Sequence, residues 1–510
     1  MAAGNFRPLL ICLAALALAG CATAGNWRAT GSQGADGGTL QCLGDLRAIT
    51  DAVQAAGVSD GSARPVRQFP YLRVDRLLAS FRDRPNLNQF LGPWMTRMRT
   101  LDRTARHHEL ANLPPADRAR LGEALGAQDP ASVITRCGDY LAARDLADDQ
   151  ARSHLIKAAK SPDHYLDWRR FFGLYPLTAI PVSIGYRRWQ RRNLGDFARP
   201  LTAIAPSGEL TTYVPAASAG PLSPSETAEI IARSRNNPLG IPEPSGTQLA
   251  RLIEAFAPVW QVDTLSGDDR IGTPEWGPDQ QSRVNTDLPV SYTRLSHVWW
   301  DNELLLQINY AIWFPARPKR GGFDLLGGKF DGLVWRVTLG PDGKVILYDS
   351  MHQCGCYHLF FPSNELEIRP GADGSNGEDG VVAPQAAPAV GPGQRVLIRV
   401  SGTSHYIAKL GIWESNPDSG APVQYRMMPD DGLRSLPFGP GQRRSLFRPD
   451  GLVAGSARAE RFLLWPMGIK SAGAMRQWGT HATAFVGRRH FDDPRLMEQS
   501  FFHRGHAKIP

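Results

Sequence analysis

The chain has 510 residues, too many for one ordinary hydrophobic core, so its length predicts two or three domains. Hydrophobic residues make up 42% of the sequence and charged residues 21%, as is typical of a folded globular protein. The formal net charge of +8 is a mild excess without a long basic run, so the sequence does not predict nucleic-acid binding.

The first residues have the layout of an export signal. Arg7 supplies positive charge, and residues 9–19 form an apolar segment too short to stay in a bilayer as a spanning helix. The segment ends in Leu18-Ala19-Gly20-Cys21, which resembles the lipobox of bacterial lipoproteins. The resemblance implies a signal peptide over residues 1–20, cleavage after Gly20, and attachment of palmitate-type acyl chains at Cys21. The alternative is an ordinary secretory signal in which the cysteine is a coincidence.

The same resemblance implies a location. Two or more acyl chains give stable membrane anchoring where one chain does not. Ala22, rather than aspartate, follows the cysteine, and in the lipoprotein class this favours the outer membrane, with the protein facing the periplasm. Residues 21–38 are small, polar and rich in glycine, which predicts a flexible tether between the membrane and the folded part.

Residues 39–175 have the pattern of a helical domain. Thr39 is a possible cap for a helix whose apolar residues recur at helical spacing, and Asp129-Pro130 opens another helix with Cys137 on its inner face. Exported proteins fold in an oxidising compartment, where disulfides form. A Cys42–Cys137 disulfide is the simplest pairing, because both cysteines lie on predicted helices of this domain. Spacing alone leaves all three pairings of the four cysteines of the folded part open.

Residues 176–510 have the pattern of a β-rich domain. Apolar residues alternate over 306–314, a turn at Pro341 and Gly343 joins two strand-like runs, and residues 395–400 predict a further strand. Residues 370–393 are rich in Gly, Ala and Pro and predict a mobile loop. The predicted fold class is α+β, with a helical amino-terminal domain followed by a mainly antiparallel sandwich or curved sheet.

The highest density of possible metal ligands and reactive side chains lies between residues 347 and 362, where His352, Cys354, Cys356 and His358 occupy alternate positions. In an extended strand these side chains share one face but stand about 6.6 Å apart, so one zinc ion would take two of them and further ligands from elsewhere. His405 is the best outside candidate, with His297, Glu303 and His481 weaker. If Gly355 turns the chain instead, the four side chains could converge.

Two other interpretations of this stretch remain open. Cys354 or Cys356 could be a nucleophile, with His352, His358 or His405 as base and Asp349 as the orienting residue. Alternatively, the two cysteines are structural and form a disulfide with each other or with a cysteine of the helical domain. Because exported cysteines are mostly oxidised, the structural interpretation is favoured.

These observations together predict a lipid-anchored outer-membrane protein that binds a partner or has a structural role in the envelope. The predicted partners are the membrane, through Cys21, and an envelope glycan or protein, with no nucleic acid. The alternative is an envelope hydrolase that uses a metal or thiol site at residues 352–358 together with His405. The sequence identifies neither a reaction nor a ligand.

Overall fold

The computed structural model describes residues 36–216, 220–372, 380–414, 421–484 and 488–505. In these ranges helices predominate up to residue 193 and strands predominate afterwards, which confirms the predicted α+β class. The predicted signal peptide, Cys21 and most of the predicted tether lie outside the described residues, as does the part of the predicted loop at 373–379.

Twelve α-helices occur among the described residues. Eight belong to the part we call the helical half, up to residue 193, and four are inserted in the β-rich half that follows. They are α1 (Gly37–Ala55), α2 (Arg76–Ser80), α3 (Leu91–Asn112), α4 (Pro115–Leu125), α5 (Pro130–Ala147), α6 (Asp149–Ala158), α7 (Asp167–Phe172), α8 (Tyr175–Asn193), α9 (Pro224–Ser234), α10 (Gly246–Ala255), α11 (Glu460–Leu463) and α12 (Leu496–Ser500).

The strands form one large sheet and several small antiparallel pairs. They are β1 (Arg64–Val66), β2 (Phe69–Val74), β3 (Glu209–Pro215), β4 (Val259–Thr264), β5 (Thr273–Trp276), β6 (Ser282–Asn285), β7 (Val290–Trp300), β8 (Glu303–Arg317), β9 (Gly328–Leu339), β10 (Val345–His352), β11 (Leu359–Pro362), β12 (Leu366–Ile368), β13 (Arg395–Val400), β14 (Ile407–Trp413), β15 (Val423–Pro429), β16 (Leu436–Pro437), β17 (Arg443–Arg444) and β18 (Phe501–His503).

The helical half is organised by α1 and α5. Helix α1 begins two residues before the predicted Thr39, because the Asp36 carboxylate accepts the backbone N–H of Thr39 at 2.7 Å and is the actual cap. A disulfide joins Cys42 of α1 to Cys137 of α5, with Cα atoms 5.1 Å apart, which confirms the predicted pairing. Leu46, Ile49 and other buried side chains of α1 pack with those of α5 in one hydrophobic cluster.

The large sheet is curled and has ten strands in the order β11-β10-β9-β8-β7-β15-β3-β4-β13-β14. Six of the nine neighbouring pairs are antiparallel, so the sheet is mainly antiparallel as predicted. The other three pairs are parallel, because β15 inserts between β7 and β3 and β13 lies beside β4. The predicted hairpin is the β9–β10 pair, in which the N–H of Gly340 donates to the carbonyl of Lys344.

Strands β8 and β9 are buried on both faces, and this places the candidate site deep inside the protein. Helices α8, α9 and α10 contribute side chains to the cluster on one face, including Tyr186, Ile230 and Leu252. The segments around Leu446, Met467 and Met475 cover the other face. No helix in the described ranges has both the length and the apolar character that a membrane span requires.

Candidate functional site

Residues 352–358 form the turn between β10 and β11. The N–H of His352 donates to the carbonyl of Cys356 at 2.9 Å, and the N–H of Gly355 donates to the carbonyl of His352 at 2.8 Å. Gly355 has a φ of +84°, and a Cβ there would lie 2.5 Å from the carbonyl oxygen of Ala482. Of the two predicted conformations, the chain therefore adopts the turn at Gly355 and not the extended strand.

The turn does not bring the two histidines together. Asp349 and His352 are three positions apart in β10, so their side chains point to opposite faces of the sheet. His358 lies on the face of Asp349, with its Nε2 2.8 Å from Oδ2 of that carboxylate. His352 lies on the other face, with its Nδ1 3.5 Å from Oδ1 of Asp331. A single metal or catalytic centre that uses both imidazoles is therefore not formed.

Cys354 and Cys356 are buried free thiols. They pack in an apolar cluster with Met351, Ala482 and Phe491. A hydrogen bond with Cys354 and burial raise the pKa of Cys356 well above its usual value, so this group is a neutral thiol and a poor nucleophile at neutral pH. Neither of the two predicted structural disulfides of this pair is present.

The face of His352 carries five buried polar side chains, which we call the Asp331 cluster: Asp269, Asp331, His352, His405 and Arg458. Oδ2 of Asp331 is 2.9 Å from Nδ1 of His405, and its Oδ1 is 3.2 Å from the Arg458 guanidinium. The second ring nitrogen of His405 is 3.2 Å from Oδ1 of Asp269. His405, the predicted outside partner of His352, therefore meets it through a shared carboxylate.

The members of the Asp331 cluster shift one another's pKa values. Burial favours the neutral form of Asp331, but Arg458 and the two histidines outweigh it and hold the pKa of this carboxyl well below its ordinary value. Burial lowers the pKa of His405, yet the hydrogen bonds to Asp269 and Asp331 raise it more, so the net shift is upward. Burial dominates at His352 and lowers its pKa. The two carboxylates thus favour the protonated form of His405, whereas burial favours the neutral form of His352.

The loop between β13 and β14 is strained where it delivers His405. Thr403 and His405 have φ values of +62° and +53°, a region that non-glycine residues rarely adopt. Asp269 holds this conformation, because its Oδ1 accepts the N–H of Thr403 at 2.5 Å as well as contacting the His405 ring. The His405 ring stacks on Phe314, with centroids 3.9 Å apart. Contacts with Asp269, Asp331 and Phe314 thus fix the orientation of the imidazole.

Aromatic side chains cover the Asp331 cluster. The rings of Tyr357 and Tyr406 lie 5.2 and 5.5 Å from that of His352. Trp189 of α8 packs over both tyrosines, with centroid distances of 4.6 and 5.3 Å. Asp331 and His405 are 0% exposed, so in this conformation the cluster has no open path to solvent.

The opposite face holds a second buried group, formed by Arg336, Asp349 and His358. The Arg336 guanidinium binds both oxygens of Asp349 at 2.8 and 2.5 Å and donates to the carbonyl of Phe491 at 2.6 Å. Burial lowers the pKa of His358 to about 4, despite its hydrogen bond to Asp349. Asp349 does contact a histidine, as its predicted orienting role requires, but the arginine occupies both of its oxygens.

The described residues give the zinc prediction no support. In the ranges that the structure covers, no three His, Cys, Asp or Glu side chains are arranged to hold a metal ion. The weaker candidates are engaged elsewhere: His297 with the carbonyl of Pro242 at 2.7 Å, His481 with that of Gln353 at 3.2 Å, and Glu303 with Arg235.

Sequence reasoning missed four members of these two buried groups: Asp269, Asp331, Arg336 and Arg458. The sequence does carry a signal for Asp331 and Arg336, since both lie in the apolar run that forms β9. A charged residue inside a buried strand requires a partner, so its presence there indicates a buried ion pair. Asp269 forms a capping box with Ser266 at a 3₁₀ helix, a local signal that the sequence does carry, whereas Arg458 lies in an irregular segment without a distinguishing pattern.

A groove lies where the helical half meets the β-rich half. Its volume is about 240 Å³, and it is lined by residues 56–58 and 112–114 on one side and by Trp276, Phe438 and residues 442–449 on the other. Arg444 lies 4.8 Å from the ring centroids of both Trp276 and Phe438. Arg443 donates to Ser435 at 2.9 Å. Neither arginine forms a salt bridge with a carboxylate in the described part of the chain.

These features define an α+β protein with a curled ten-stranded mixed sheet, a covered Asp331 cluster in its interior and a cationic, aromatic groove at the junction of its halves. Comparisons with protein-family models, with curated proteins and with solved structures gave no match.

Proposed function

We propose that this chain is an exported, lipid-anchored envelope protein that acts by binding a ligand. The Cys42–Cys137 disulfide supports export, because such bonds persist in oxidising compartments. The lipobox resemblance of residues 18–21 supports an anchor at Cys21, and Ala22 supports the outer membrane.

The groove is the observation that carries the binding role. Arg443 and Arg444 offer guanidinium groups that match carboxylates, and Trp276 and Phe438 offer flat apolar faces beside them. A carboxylate-bearing cell-wall glycan combines the anionic groups and flat sugar faces that such a surface recognises. We therefore infer this class of ligand.

The walls of the groove are held in place before a ligand arrives. Asn112 of the helical half donates to the carbonyl of Arg434 at 2.8 Å and accepts from the hydroxyl of Ser435 at 2.8 Å. Both of these bonds are buried. A site whose walls need no ordering loses less entropy on binding, which favours affinity.

The covered Asp331 cluster favours a binding role over the alternative hydrolase. A general base must reach the proton that it removes, and a nucleophilic thiol must ionise. His352 and His405 already contact Asp331, and Trp189 and the tyrosines lie over them.

The test is sedimentation with insoluble cell-wall peptidoglycan. A chain that starts at Ala22 keeps the described core, because the four hydrophobic clusters lie between residues 42 and 501. We expect it to sediment with the glycan and the Arg443→Gln/Arg444→Gln variant to bind about tenfold more weakly, which corresponds to a loss of about 1.4 kcal/mol.

The matched control is Arg120→Gln/Arg233→Gln, which removes the same charge from two exposed helix positions. Circular dichroism checks that both variants fold. Equal binding by the two variants, or no binding by the parent chain, would overturn the glycan-binding role.

A further inference from the structure

Helices α7 and α8 present an apolar surface to solvent. Phe171 and Phe172 at the end of α7 are 75% and 71% exposed, and Leu177 in α8 is 64% exposed. Trp168, Ile180 and Ile184 are exposed on the same two helices. A soluble protein rarely leaves so many large apolar side chains together in water without a partner for them. We call this surface the α7–α8 face.

The geometry of α8 sets this face apart from the core. Leu177, Ile180 and Ile184 follow one another at spacings of three and four, so they share one side of the helix. Tyr186 is on the inner side, where it is buried and stacks on Trp189 at 5.4 Å. The helix thus packs on the protein with one side and leaves an apolar stripe on the other.

The face is fixed by contacts with the segment around Trp465. Trp168 packs edge-on against Trp465, with centroids 5.6 Å apart. Phe462 and Leu463 in the neighbouring α11 are 71% and 63% exposed and extend the apolar surface. The Arg170 guanidinium lies 3.8 Å from the Tyr175 ring centroid and joins α7 to α8.

Positive charge accompanies the apolar stripe. Residues 167–193 contain six arginines and a single acidic residue, Asp167, which pairs with Arg488. Arg188, Arg191 and Arg192 are exposed in the last turns of α8. None of these three forms a salt bridge with a carboxylate among the residues that the structure describes. The stripe therefore passes from apolar to cationic along the helix.

We propose that the α7–α8 face docks on a lipid bilayer whose surface carries anionic headgroups. The aromatic and aliphatic side chains enter the boundary between headgroups and acyl chains, and the arginines contact the phosphates. A second copy of the chain fits this surface less well, because residues 167–193 hold a single carboxylate, Asp167, which already pairs with Arg488 and so cannot neutralise the arginines of α8. The proposal rests on neither the groove nor the lipid at Cys21, and it adds a direct contact between protein and membrane.

The test is vesicle flotation of the non-lipidated chain that starts at Ala22. We expect it to bind vesicles of phosphatidylethanolamine with phosphatidylglycerol, to bind phosphatidylcholine vesicles weakly, and to lose the difference in high salt. Phe171→Ser/Leu177→Ser/Ile180→Ser should lower the partition coefficient about tenfold or more. Arg188→Gln/Arg191→Gln/Arg192→Gln should reduce binding to anionic vesicles to the phosphatidylcholine level.

Two triple variants are the matched controls. Leu265→Ser/Leu288→Ser/Phe323→Ser removes exposed apolar side chains elsewhere, and Arg120→Gln/Arg136→Gln/Arg233→Gln removes three exposed charges elsewhere. Both should bind vesicles like the parent chain. Equal flotation of face and control variants would overturn the proposal. So would a dimer, detected by light scattering, that only the face variants dissociate, because the occupant would then be a second copy.

Discussion

Asp269 and Asp331 are fully buried carboxylates, and the His405 ring lies between them. Burying a charge is costly unless partners compensate it, and removing one partner leaves the others uncompensated. Arg458 and Arg317 supply positive charge near Asp331, and the two carboxylates favour the protonated form of the imidazole between them. The protonation state of His405 is therefore a property on which the stability of this part of the fold depends.

His405→Gln should lower the free energy of unfolding by about 3–5 kcal/mol, because it removes the imidazole that contacts both buried carboxylates. The pKa of His405 is raised above its ordinary 6.5, so its contribution is complete below pH 6.5 and is lost as pH rises through the folded-state pKa. The stability difference between the parent and the variant should therefore be largest in mild acid and shrink in base. Urea unfolding across pH measures it.

His358→Gln is the control for this experiment, because the contribution of His358 to stability depends on pH in the opposite direction. The pKa of His358 is lowered to about 4, so the native state loses stability as pH falls from 6.5 through that value. The difference between the parent and this variant should shrink in acid. The same pH trend for both variants would contradict the assignment of a charged His405 and a neutral His358.

At the scale of elements, the β10–β11 turn depends on one glycine. Gly355→Ala adds a Cβ at a φ of +84° and 2.5 Å from a backbone oxygen that cannot rotate away. We expect the free energy of unfolding to fall by about 3 kcal/mol or more, from strain and overpacking together. Gly455→Ala, with a φ of +79° and open space around it, should cost only about 1 kcal/mol. Equal losses in urea unfolding would mean that the Ala482 segment yields easily.

The elements that the sequence predicts correctly are those whose pattern is local. The β9–β10 hairpin follows from two apolar runs around Pro341 and Gly343, and the capping box that begins α9 follows from Ser223 and Glu226. The insertion of β15 between β7 and β3 is not predictable in this way, because no short motif encodes which distant strands pair. The sequence does not predict strand β2 either, since all six of its residues are buried and it shows no alternation.

The candidate site was predictable only in part for the same reason. The His352–His358 stretch stands out by its composition, and His405 follows a recognisable strand. Their partners Asp269 and Asp331 come from other segments, so the ion pairs exist only once the sheet has formed. The opposite orientations of His352 and His358 likewise depend on where β10 ends, which the spacing left open.

At the scale of the whole molecule, a buried polar contact joins the two halves beside the groove. Oδ2 of Asp60, in the helical half, lies 2.8 Å from Nε of Arg434 and 3.1 Å from Nε2 of Gln477, both in the β-rich half. Burial opposes the charge of Asp60, but Arg434 outweighs it and lowers the pKa of this carboxyl to about 2. This ion pair therefore stabilises the contact between the two halves and also supports the wall of the groove.

Asp60→Asn should lower the free energy of unfolding by about 3–5 kcal/mol at neutral pH, because it leaves Arg434 buried with a weakened partner set. The folded-state pKa is depressed, so this contribution is present above the ordinary value of 3.8 and is lost as pH falls through about 2. Peptidoglycan binding should weaken as well, since Arg434 and Ser435 support the wall of the groove.

Asp450→Asn is the control, because its partners Arg448 and Lys470 are exposed, and it should cost less than about 1 kcal/mol. Unchanged stability of Asp60→Asn in urea unfolding would show that Asp431, the other carboxylate beside Arg434, holds that guanidinium alone.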